Sequence, residues 1–429
     1  MQNRRISLLT ATAIVVANMV GTGVFTSLGF QVESIPTGFP ILILWLAGGV
    51  LSFCGAVCYA ELAGMMPRSG GEYHLLRSTY HPLAGFLSGW ISITVGFSAP
   101  IAVAALASGE YLAAVTGWGL PAGYATALVV AVTAVHLRGT ILASRFQVCF
   151  TVGKLLLILI LIACGVMFRG ADGNSLAWQP GDGGWIFSPG FALSLFWVMY
   201  AYSGWNAAAY VAEEVEDPGR NVPRALIFGT GFVTILYVAV NAVFLLTTPK
   251  EAMVGQAEVG FVAATHIFGP LGGQIMGILI SFGLISTVSA MVWAGPRIGQ
   301  VMGEDYRLFR WLSQRNRRGA PGTAILAQSA IVLVLLWFVP FERILYYIQA
   351  ILILSSMLAV AAVIILRIQR PEAKRPYRAW GYPLSPLLYL GLSVYLLYVF
   401  VEMKTAEAMW GLLTLVVGGA VYGIARRIG

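Results

Sequence analysis

Charged side chains are scarce in this sequence. They make up 10% of its 429 residues, against about 25% in soluble domains. Hydrophobic residues make up 58% of the chain, and the mean hydropathy is +0.81. This balance excludes a soluble globular protein and indicates a membrane protein with many helices. A single helical bundle can reach this length, so we expect one membrane domain over residues 1–429.

Cysteine and histidine are also scarce, with four of each. The cysteines all fall within or at the edge of apolar runs, where they are interpreted as small core residues. No Cys–His spacing typical of a metal site occurs, so we predict neither a metal nor a cofactor. Clusters of His, Asp or Glu deep within the apolar runs are missing as well, which argues against a membrane enzyme.

Long apolar runs dominate what is present. Most are near or above the ~20 residues that a membrane helix needs, and the fourth and ninth are shorter. The sequence therefore predicts twelve spans, at roughly 7–30, 38–66, 83–115, 122–137, 143–168, 188–213, 224–247, 270–298, 322–339, 344–367, 383–401 and 408–425.

Lysine and arginine are distributed unevenly between the loops. With the amino terminus inside, the inner segments hold 21 of the 26 basic residues and the outer loops hold 4, while Lys154 fits neither side. This bias predicts that both termini are cytoplasmic. The net charge of +8 is then explained by topology and by contact with anionic lipid, and we expect no nucleic-acid partner.

Two spans contain clusters of residues that form helices poorly. One is NMVGTGVFTSLGF, residues 18–30, in span one, and the other is MYAYSGWNAAAYV, residues 199–211, in span six. The two breaks are five spans apart, so a second copy of a five-helix unit would be inverted. We therefore predict inverted repeats at 7–168 and 188–368, followed by two helices at 383–428. Paired broken helices in inverted halves indicate the binding site of a secondary transporter.

The first break has an alternative explanation. Small residues in membrane helices often serve close packing, and Ala17 and Gly21 have the small-xxx-small spacing. Gly21 and Gly23 do not, because residues i and i+2 face different directions. These residues alone favour packing and function equally, and the matching break in span six favours function. Backbone groups left unpaired in a membrane need polar partners, which a polar solute can supply.

Several stretches resemble the amino acid–polyamine–organocation transporter superfamily. GTGVF in span one resembles its G-[ST]-G-[IV]-F motif. YAYSGWNAAAYVAEEVEDPGRNVPRAL, residues 200–226, resembles the sixth helix and following loop of its L-type amino acid transporter branch. YAELAGMMPRSGGEY, residues 59–73, is similar to the end of its second helix, and SRFQVCFTVGKLLLILIL to its fifth. The eighth helix departs from the Ser-rich animal pattern and is closer to bacterial permeases.

The resemblance implies fold and function together. It implies an all-α membrane protein of twelve transmembrane helices, arranged as a 5+5 inverted repeat with helices 1 and 6 broken. It also implies transport of amino acids, by exchange or with protons. Animal members pair with a glycoprotein through a cysteine between helices three and four, but that loop here is VTGWGLPAG. We therefore expect no disulfide-linked heavy subunit. The short termini fit a multi-pass protein of the bacterial plasma membrane.

An amino acid carries a carboxylate, and the first break predicts where it binds. Anions are favoured at helix N-termini, where free amides and the helix dipole meet. We expect the carboxylate beyond Gly21, at the amides of Thr22, Gly23 and Val24, with the Thr22 hydroxyl as a further donor.

The ammonium group needs acceptors, and the last carbonyls of the first half-helices are the candidates. These lie near Met19 in span one and near Tyr200 and Ser203 in span six. The resemblance implies that the Tyr200 ring closes over the substrate, whereas the alternative is a ring packed between helices. Asn206 either binds substrate or caps the second half-helix, and the residue alone favours capping.

Acidic side chains are absent from the central stretch of both broken spans. A cationic substrate would bring a second ammonium into the membrane, and burying it unpaired is costly. Neutral L-amino acids are therefore favoured over cationic amino acids, and polyamines lack the carboxylate altogether. A membrane amino acid sensor is an alternative of another class, which the lack of long signalling tails disfavours.

Lys154 lies about 16 Å into span five at 1.5 Å per residue, near the midplane. Its expected partners are carbonyls near Val20 and Gly21 and a hydroxyl of Ser286, Thr287 or Ser289. In related sodium-driven carriers a sodium ion occupies this place, so the resemblance implies sodium-independent transport. If burial disfavours the ammonium in one conformation, Lys154 releases a proton and couples transport to it. If its acceptors dominate, the charge is fixed and the protein exchanges substrates.

Overall fold

The computed structural model describes residues 6–167, 173–256, 258–338 and 341–428, without the side chains of 140, 141, 144 and 341–348. Within these ranges the regular structure is helical, apart from one isolated bridge between Ile6 and Val215. The α-helices are α1 Leu8–Met19, α2 Gly23–Ser34, α3 Gly38–Met65, α4 Glu72–Thr79, α5 Pro82–Ile91, α6 Ser98–Thr116, α7 Pro121–Leu137, α8 Thr140–Met167, α9 Asp182–Ile186, α10 Pro189–Ala201, α11 Ala207–Tyr210, α12 Pro218–Thr247, α13 Lys250–Met253, α14 Val259–Asp305, α15 Gly322–Phe338, α16 Phe341–Gln369, α17 Leu384–Met403 and α18 Thr405–Ile428.

Nine helical segments in the described ranges are long and apolar enough to span a membrane, with α1 and α2 forming one segment and α5 and α6 another. Three shorter apolar helices, α7, α10 and α15, complete the set. Together they correspond to the twelve predicted spans, and α10 is short because span six is interrupted after it. The limits of the two five-helix repeats stay a prediction.

The eighth span is predicted to start at residue 270, and the structure has two helices here, between Val259 and Asp305, that meet at a kink. Gly269 separates them with φ 77° and ψ 178°, a conformation that glycine adopts readily, and Pro270 follows. The second of the two helices therefore begins at Pro270, the predicted start of span eight, and continues to Asp305, beyond the predicted end at residue 298.

The two broken helices lie at the centre of the bundle. α1 packs on α8, α12 and α14, while α10 packs on α2, α3 and α16. Most of α3 is buried along its length, as expected for a helix that is apolar on every face. By contrast α18 exposes most of its side chains, so this last helix lies at the periphery. The breaks are thus enclosed by protein, where unwound backbone is tolerated.

A buried ion-pair cluster fastens one end of the bundle. Glu61 near the end of α3 accepts hydrogen bonds from Arg367 at 2.6 and 3.0 Å and from Arg375 at 3.1 Å. The backbone amide of Ala379 donates to the same carboxylate at 2.7 Å. Since Glu61 is 1% exposed, this cluster ties the segment after α16 to α3.

Candidate functional site

The first break lies between Met19 and Gly23. The amide of Gly21 turns back to the carbonyl of Met19 at 2.8 Å, so the regular helical ladder stops there. Among the described residues, the amides of Thr22, Gly23 and Val24 have no backbone acceptor. They are the free N–H groups that the start of a helix leaves, and here they occur deep in the protein. This is the arrangement that an anion requires.

The second break is a turn of five residues between α10 and α11. The amide of Ser203 bonds the carbonyl of Tyr200 at 2.9 Å, and Gly204 has φ 94°. A Cβ on Gly204 would lie 2.9 Å from the Cβ of Asn18. Both the left-handed conformation and the contact with span one therefore require glycine at this position.

The two breaks are in direct contact, and this contact explains Gly23. A Cβ on Gly23 would lie 2.5 Å from the Cα of Ala201, whereas a Cβ on Gly21 would lie 3.2 Å from a methyl carbon of Thr287. Close packing against the backbone of α10 therefore explains why residue 23 is a glycine. It leaves the free amides of α2 available beside that contact.

Tyr237 on α12 joins the two breaks, and no sequence pattern predicts this. Its hydroxyl donates to the carbonyl of Met19 at 2.5 Å and lies 3.1 Å from the carbonyl of Ala201. The residue is fully buried. An isolated tyrosine in an apolar span resembles an ordinary core residue, so only its position identifies it.

Two of the three predicted acceptors for an ammonium group, the carbonyls of Met19 and Tyr200, are already occupied. The Met19 carbonyl accepts from Tyr237 and Gly21, and the Tyr200 carbonyl accepts from Ser203. In the part of the chain that is described, no N–H group donates to the carbonyl of Asn18. Asn18 also lines both cavities at the breaks. The predicted Ser203 meets the same two conditions, so the acceptors that remain are its carbonyl and that of Asn18, which sequence reasoning missed.

Lys154 on α8 points at the first break. Its Nζ donates to the carbonyl of Val20, to the carbonyl of Ala17 at 3.3 Å and to the Thr287 hydroxyl at 3.0 Å. Thr287 in turn donates to the Val20 carbonyl at 2.8 Å. Three acceptors thus surround the three N–H donors of an ammonium group, and Lys154 is 2% exposed.

The other two hydroxyls predicted beside Lys154 bind elsewhere. Ser286 donates to the carbonyl of Gly283 at 2.9 Å, and Ser289 pairs with His136 Nε2 at 2.9 Å. Successive residues of a helix are turned by about 100°, so Thr287 alone faces Lys154. The prediction is corrected accordingly for Ser286 and Ser289.

Two adjoining cavities lie along the breaks. A cavity of about 10 Å³, room for about one water, is lined by Gly21, Thr22, Gly23 and Tyr200 among others. A second cavity of about 70 Å³ is lined by polar and apolar residues of α10, α11 and α16 together with Ser92, Phe97 and Pro100. Both share Asn18, Pro100, Ser203 and Met291. The cavities therefore form neighbouring compartments of one site.

Asn206 lines the larger cavity, but the N–H groups of its side-chain amide already donate hydrogen bonds within the protein. Nδ2 donates to Glu72 Oε1 at 3.0 Å and to the Tyr210 hydroxyl at 3.2 Å. Its side chain makes no capping hydrogen bond to α11. Asn206 can offer a substrate only its oxygen, and the capping alternative does not describe it.

Glu72 at the start of α4 is a buried carboxyl that sequence reasoning missed. Tyr59 donates to it at 2.5 Å, Tyr210 at 2.7 Å and Ser356 at 3.4 Å, in addition to Asn206. Burial raises the pKa of the Glu72 carboxyl. The cluster links α4 to α3, α11 and α16 behind the wall of the larger cavity.

Beyond α11, Glu214 pairs with Arg297 at 2.9 Å. Trp293 Nε1 donates to the other carboxylate oxygen at 3.3 Å. The carbonyl of Glu214 accepts from the amide of Ile6 at 2.7 Å, and the amide of Glu216 donates to the Ile6 carbonyl at 3.0 Å. These contacts connect the segment after span six to α14 and to the start of span one.

Comparison with known proteins agrees with this geometry. A family model described as Amino acid permease matches residues 6–422. The chain is 28% identical to "b(0,+)-type amino acid transporter 1" of Oryctolagus cuniculus over 439 residues, covering 94% of this chain and 90% of the relative. It is 28% identical to "Large neutral amino acids transporter small subunit 2" of Rattus norvegicus over 430 residues, covering 98% and 80%. The chain therefore belongs to the amino acid permease family, within the superfamily whose motifs its sequence carries.

Proposed function

We propose that this protein is a secondary transporter of neutral L-amino acids that needs no sodium. The observation that carries the proposal is the pair of contacting breaks, where Thr22 and Gly23, whose amides are unpaired, line a cavity and the unpaired amide of Val24 follows them. They would bind the substrate carboxylate, and the carbonyl of Asn18 would accept from the ammonium group. A site built from backbone suits the part that all amino acids share. Its family and relatives are transporters, and we propose no catalytic activity.

Neutral substrates are supported by the composition of the cavity walls. No acidic or basic side chain is among the residues that line either cavity in the described structure. Glu72 lies behind the wall with its oxygens engaged by four neutral donors. A cationic side chain would find no free counter-charge, which is why cationic amino acids and polyamines remain the weaker alternative.

The place of Lys154 supports independence from sodium. Its ammonium group bridges the carbonyl of Val20 and the hydroxyl of Thr287, between the first break and α14. Three acceptors for three protons favour the charged form and hence exchange, whereas burial opposes the charge and would favour proton coupling. We further propose a bacterial plasma-membrane location with both termini in the cytoplasm, from the distribution of basic residues.

The test is uptake of labelled amino acids into proteoliposomes that contain the purified protein. We expect neutral amino acids to enter without sodium and faster when the vesicles hold internal amino acid. If a pH gradient alone stimulated uptake, proton coupling and not exchange would be the mechanism. Preference for cationic substrates would favour the alternative transporter, and binding without uptake would favour a sensor. Sodium-dependent uptake would refute the role given to Lys154.

A further inference from the structure

A groove lies between α8 and α14, away from the two breaks. Its volume is about 280 Å³, against about 70 Å³ for the larger cavity at the breaks. Its walls are almost entirely apolar, and they include Phe150, Gly153 and Leu157 of α8 and Leu279, Phe282 and Gly283 of α14. None of these six residues lines either of the cavities at the breaks. We call it the α8–α14 groove.

The α8–α14 groove opens on the outer surface of the helix bundle. Beside it Leu156 is 54% exposed, and on its walls Leu279 is 44% and Phe282 51% exposed. Both helices belong to segments that are long and apolar enough to span a membrane. A Cβ added to Gly153 would find open space. The groove therefore faces the hydrocarbon region of the bilayer, where lipid chains cover apolar surface that has no protein partner.

The inner wall of the groove is formed by Lys154. A Cβ added to Gly283 would lie 3.4 Å from the Cγ of Lys154, so glycine at residue 283 leaves the stem of this side chain uncovered. The Nζ at the far end of the stem is bonded to the carbonyl of Ala17 and to the Thr287 hydroxyl. A molecule in the groove would therefore pack directly against the residue that joins α8 to span one.

A basic side chain lies beyond one end of the groove. Arg145 on α8 is exposed and takes part in none of the ion pairs among the described residues. Arg145, Cys149 and Gly153 are four residues apart, so they share one side of the helix, and the last two line the groove. Arg145 lies about 12 Å before Gly153 along the helix axis. An unpaired guanidinium group at the membrane surface is a good partner for a phosphate group.

We propose that the α8–α14 groove binds one anionic phospholipid, with its phosphate at Arg145 and an acyl chain beside Gly153. Each leaflet contains about 15 Å of hydrocarbon, so a chain that starts at Arg145 reaches Gly153 and the stem of Lys154. The basic residues predict that this side is cytoplasmic, so the lipid belongs to the inner leaflet. A sterol or a second copy of the chain would fill the apolar part but would leave Arg145 without a partner.

The test uses phosphatidylglycerol that carries a photoreactive diazirine in the distal half of one acyl chain. The purified protein is placed in vesicles of phosphatidylethanolamine and phosphatidylglycerol, illuminated, and analysed by mass spectrometry of its peptides. We expect labelling of residues 149–157 and 279–283 to exceed that of the exposed helix α18 severalfold. Unlabelled phosphatidylglycerol should compete for these positions more strongly than phosphatidylcholine does.

Two variants and two matched controls separate this site from ordinary lipid contact. Gly153→Phe fills the groove and should nearly abolish the label there. Arg145→Gln should reduce the label about tenfold, the usual effect of losing one charge-assisted hydrogen bond. Gly423→Phe and Arg426→Gln make the same changes on α18, where Gly423 also borders open space and Arg426 is exposed. These two controls should leave the label in the groove unchanged.

Equal labelling of all the lipid-facing helices would overturn the proposal, because contact with bulk lipid gives that result. Equal competition by phosphatidylcholine would overturn it too, as would an unchanged label in either Gly153→Phe or Arg145→Gln. Disulfide formation between the exposed Cys149 of two copies, with no lipid label in the groove, would assign the groove to a dimer interface instead. The labelling needs no transport, so its outcome is independent of the proposed function.

Discussion

Tyr237 donates its hydroxyl proton to the carbonyl oxygen of Met19 at 2.5 Å. The same hydroxyl lies 3.1 Å from the carbonyl oxygen of Ala201, at the end of α10. One side chain of α12 thus contacts the last carbonyl of both interrupted helices. A transporter has to move these helices relative to each other, and this contact sets how they are aligned in the conformation described.

We expect Tyr237→Phe to lower uptake about tenfold while changing the free energy of unfolding by only about 1 kcal/mol, the usual contribution of one hydrogen bond. Tyr202→Phe is the control, because its hydroxyl donates to the carbonyl of Trp45 at 3.0 Å and its ring packs 4.8 Å from that of Tyr237. It should cost similar stability and keep most uptake. Equal losses of uptake in both variants would mean that transport depends on the hydroxyls of this pair of packed tyrosines in general and not on the contact of the Tyr237 hydroxyl with the two breaks.

Lys154→Ala should lose most uptake, because the Val20 carbonyl and the Thr287 hydroxyl lose the ammonium group between them. Gln147→Leu is the control, since Gln147 links the same two helices by donating to the carbonyl of Ser286 at 3.1 Å. Proton movement should be recorded with a pH-sensitive dye during uptake. A fixed charge predicts no proton flux in the unmodified protein, and a flux that disappears in Lys154→Ala would instead assign proton release to this residue.

Gly23→Val should abolish uptake and leave insertion into the membrane intact. The added side chain would meet the backbone of Ala201, so α2 and α10 would have to separate. Gly21→Ala is far milder, because its Cβ would meet only a methyl group at 3.2 Å. We expect it to keep a substantial part of the uptake. Normal transport by Gly23→Val would show that the two breaks need not be in contact.

Tyr200→Ala should slow transport strongly and Tyr200→Phe much less, because Tyr200 lines the cavity beside Thr22 and Gly23 and we propose that its ring covers the substrate there. The rates of uptake and of substrate release should be measured for both. Equal impairment of the two variants would indicate that the Tyr200 hydroxyl has a role of its own.

Glu61→Ala should destabilise the fold by about 3–5 kcal/mol, since it leaves Arg367 and Arg375 without their buried partner. Thermal unfolding of the detergent-solubilised protein measures this effect. Arg220→Ala is the control, because Arg220 is exposed and belongs to none of the ion pairs among the described residues. A small effect of Glu61→Ala would show that the cluster does not hold the segment after α16.

The sequence predicts the architecture well because its strongest signals are local. Apolar runs predict the helices, and clusters of small and polar residues such as GTG and SGWN mark the breaks. The depth of Lys154 along its helix predicted a partner at the first break, and its Nζ lies against Val20. The predicted start of span eight at residue 270 matches the kink at Gly269, after which a second helix begins.

Contacts between distant segments could not be predicted in the same way. Thr287 differs from Ser286 and Ser289 only in which face of α14 it occupies, and the orientation of that face depends on packing. Tyr237 carries no motif, and Glu72 lies in a short connecting helix whose burial depends on α11 and α16 above it. A sequence pattern predicts how far along its helix a residue lies and which residues share a face. It does not predict how that helix is rotated in the bundle or which helices approach it, and the contacts of these residues depend on both.

The backbone pairing of Ile6 with Glu214 and Glu216 has a consequence for how the two interrupted helices can move. Ile6, two residues before α1, is joined by two hydrogen bonds to the segment that follows α11. The half-helix α1 cannot tilt away by itself without breaking both bonds. If both bonds persist through the transport cycle, the first half of span one and the end of span six move together. A label attached to either segment then reports the displacement of both.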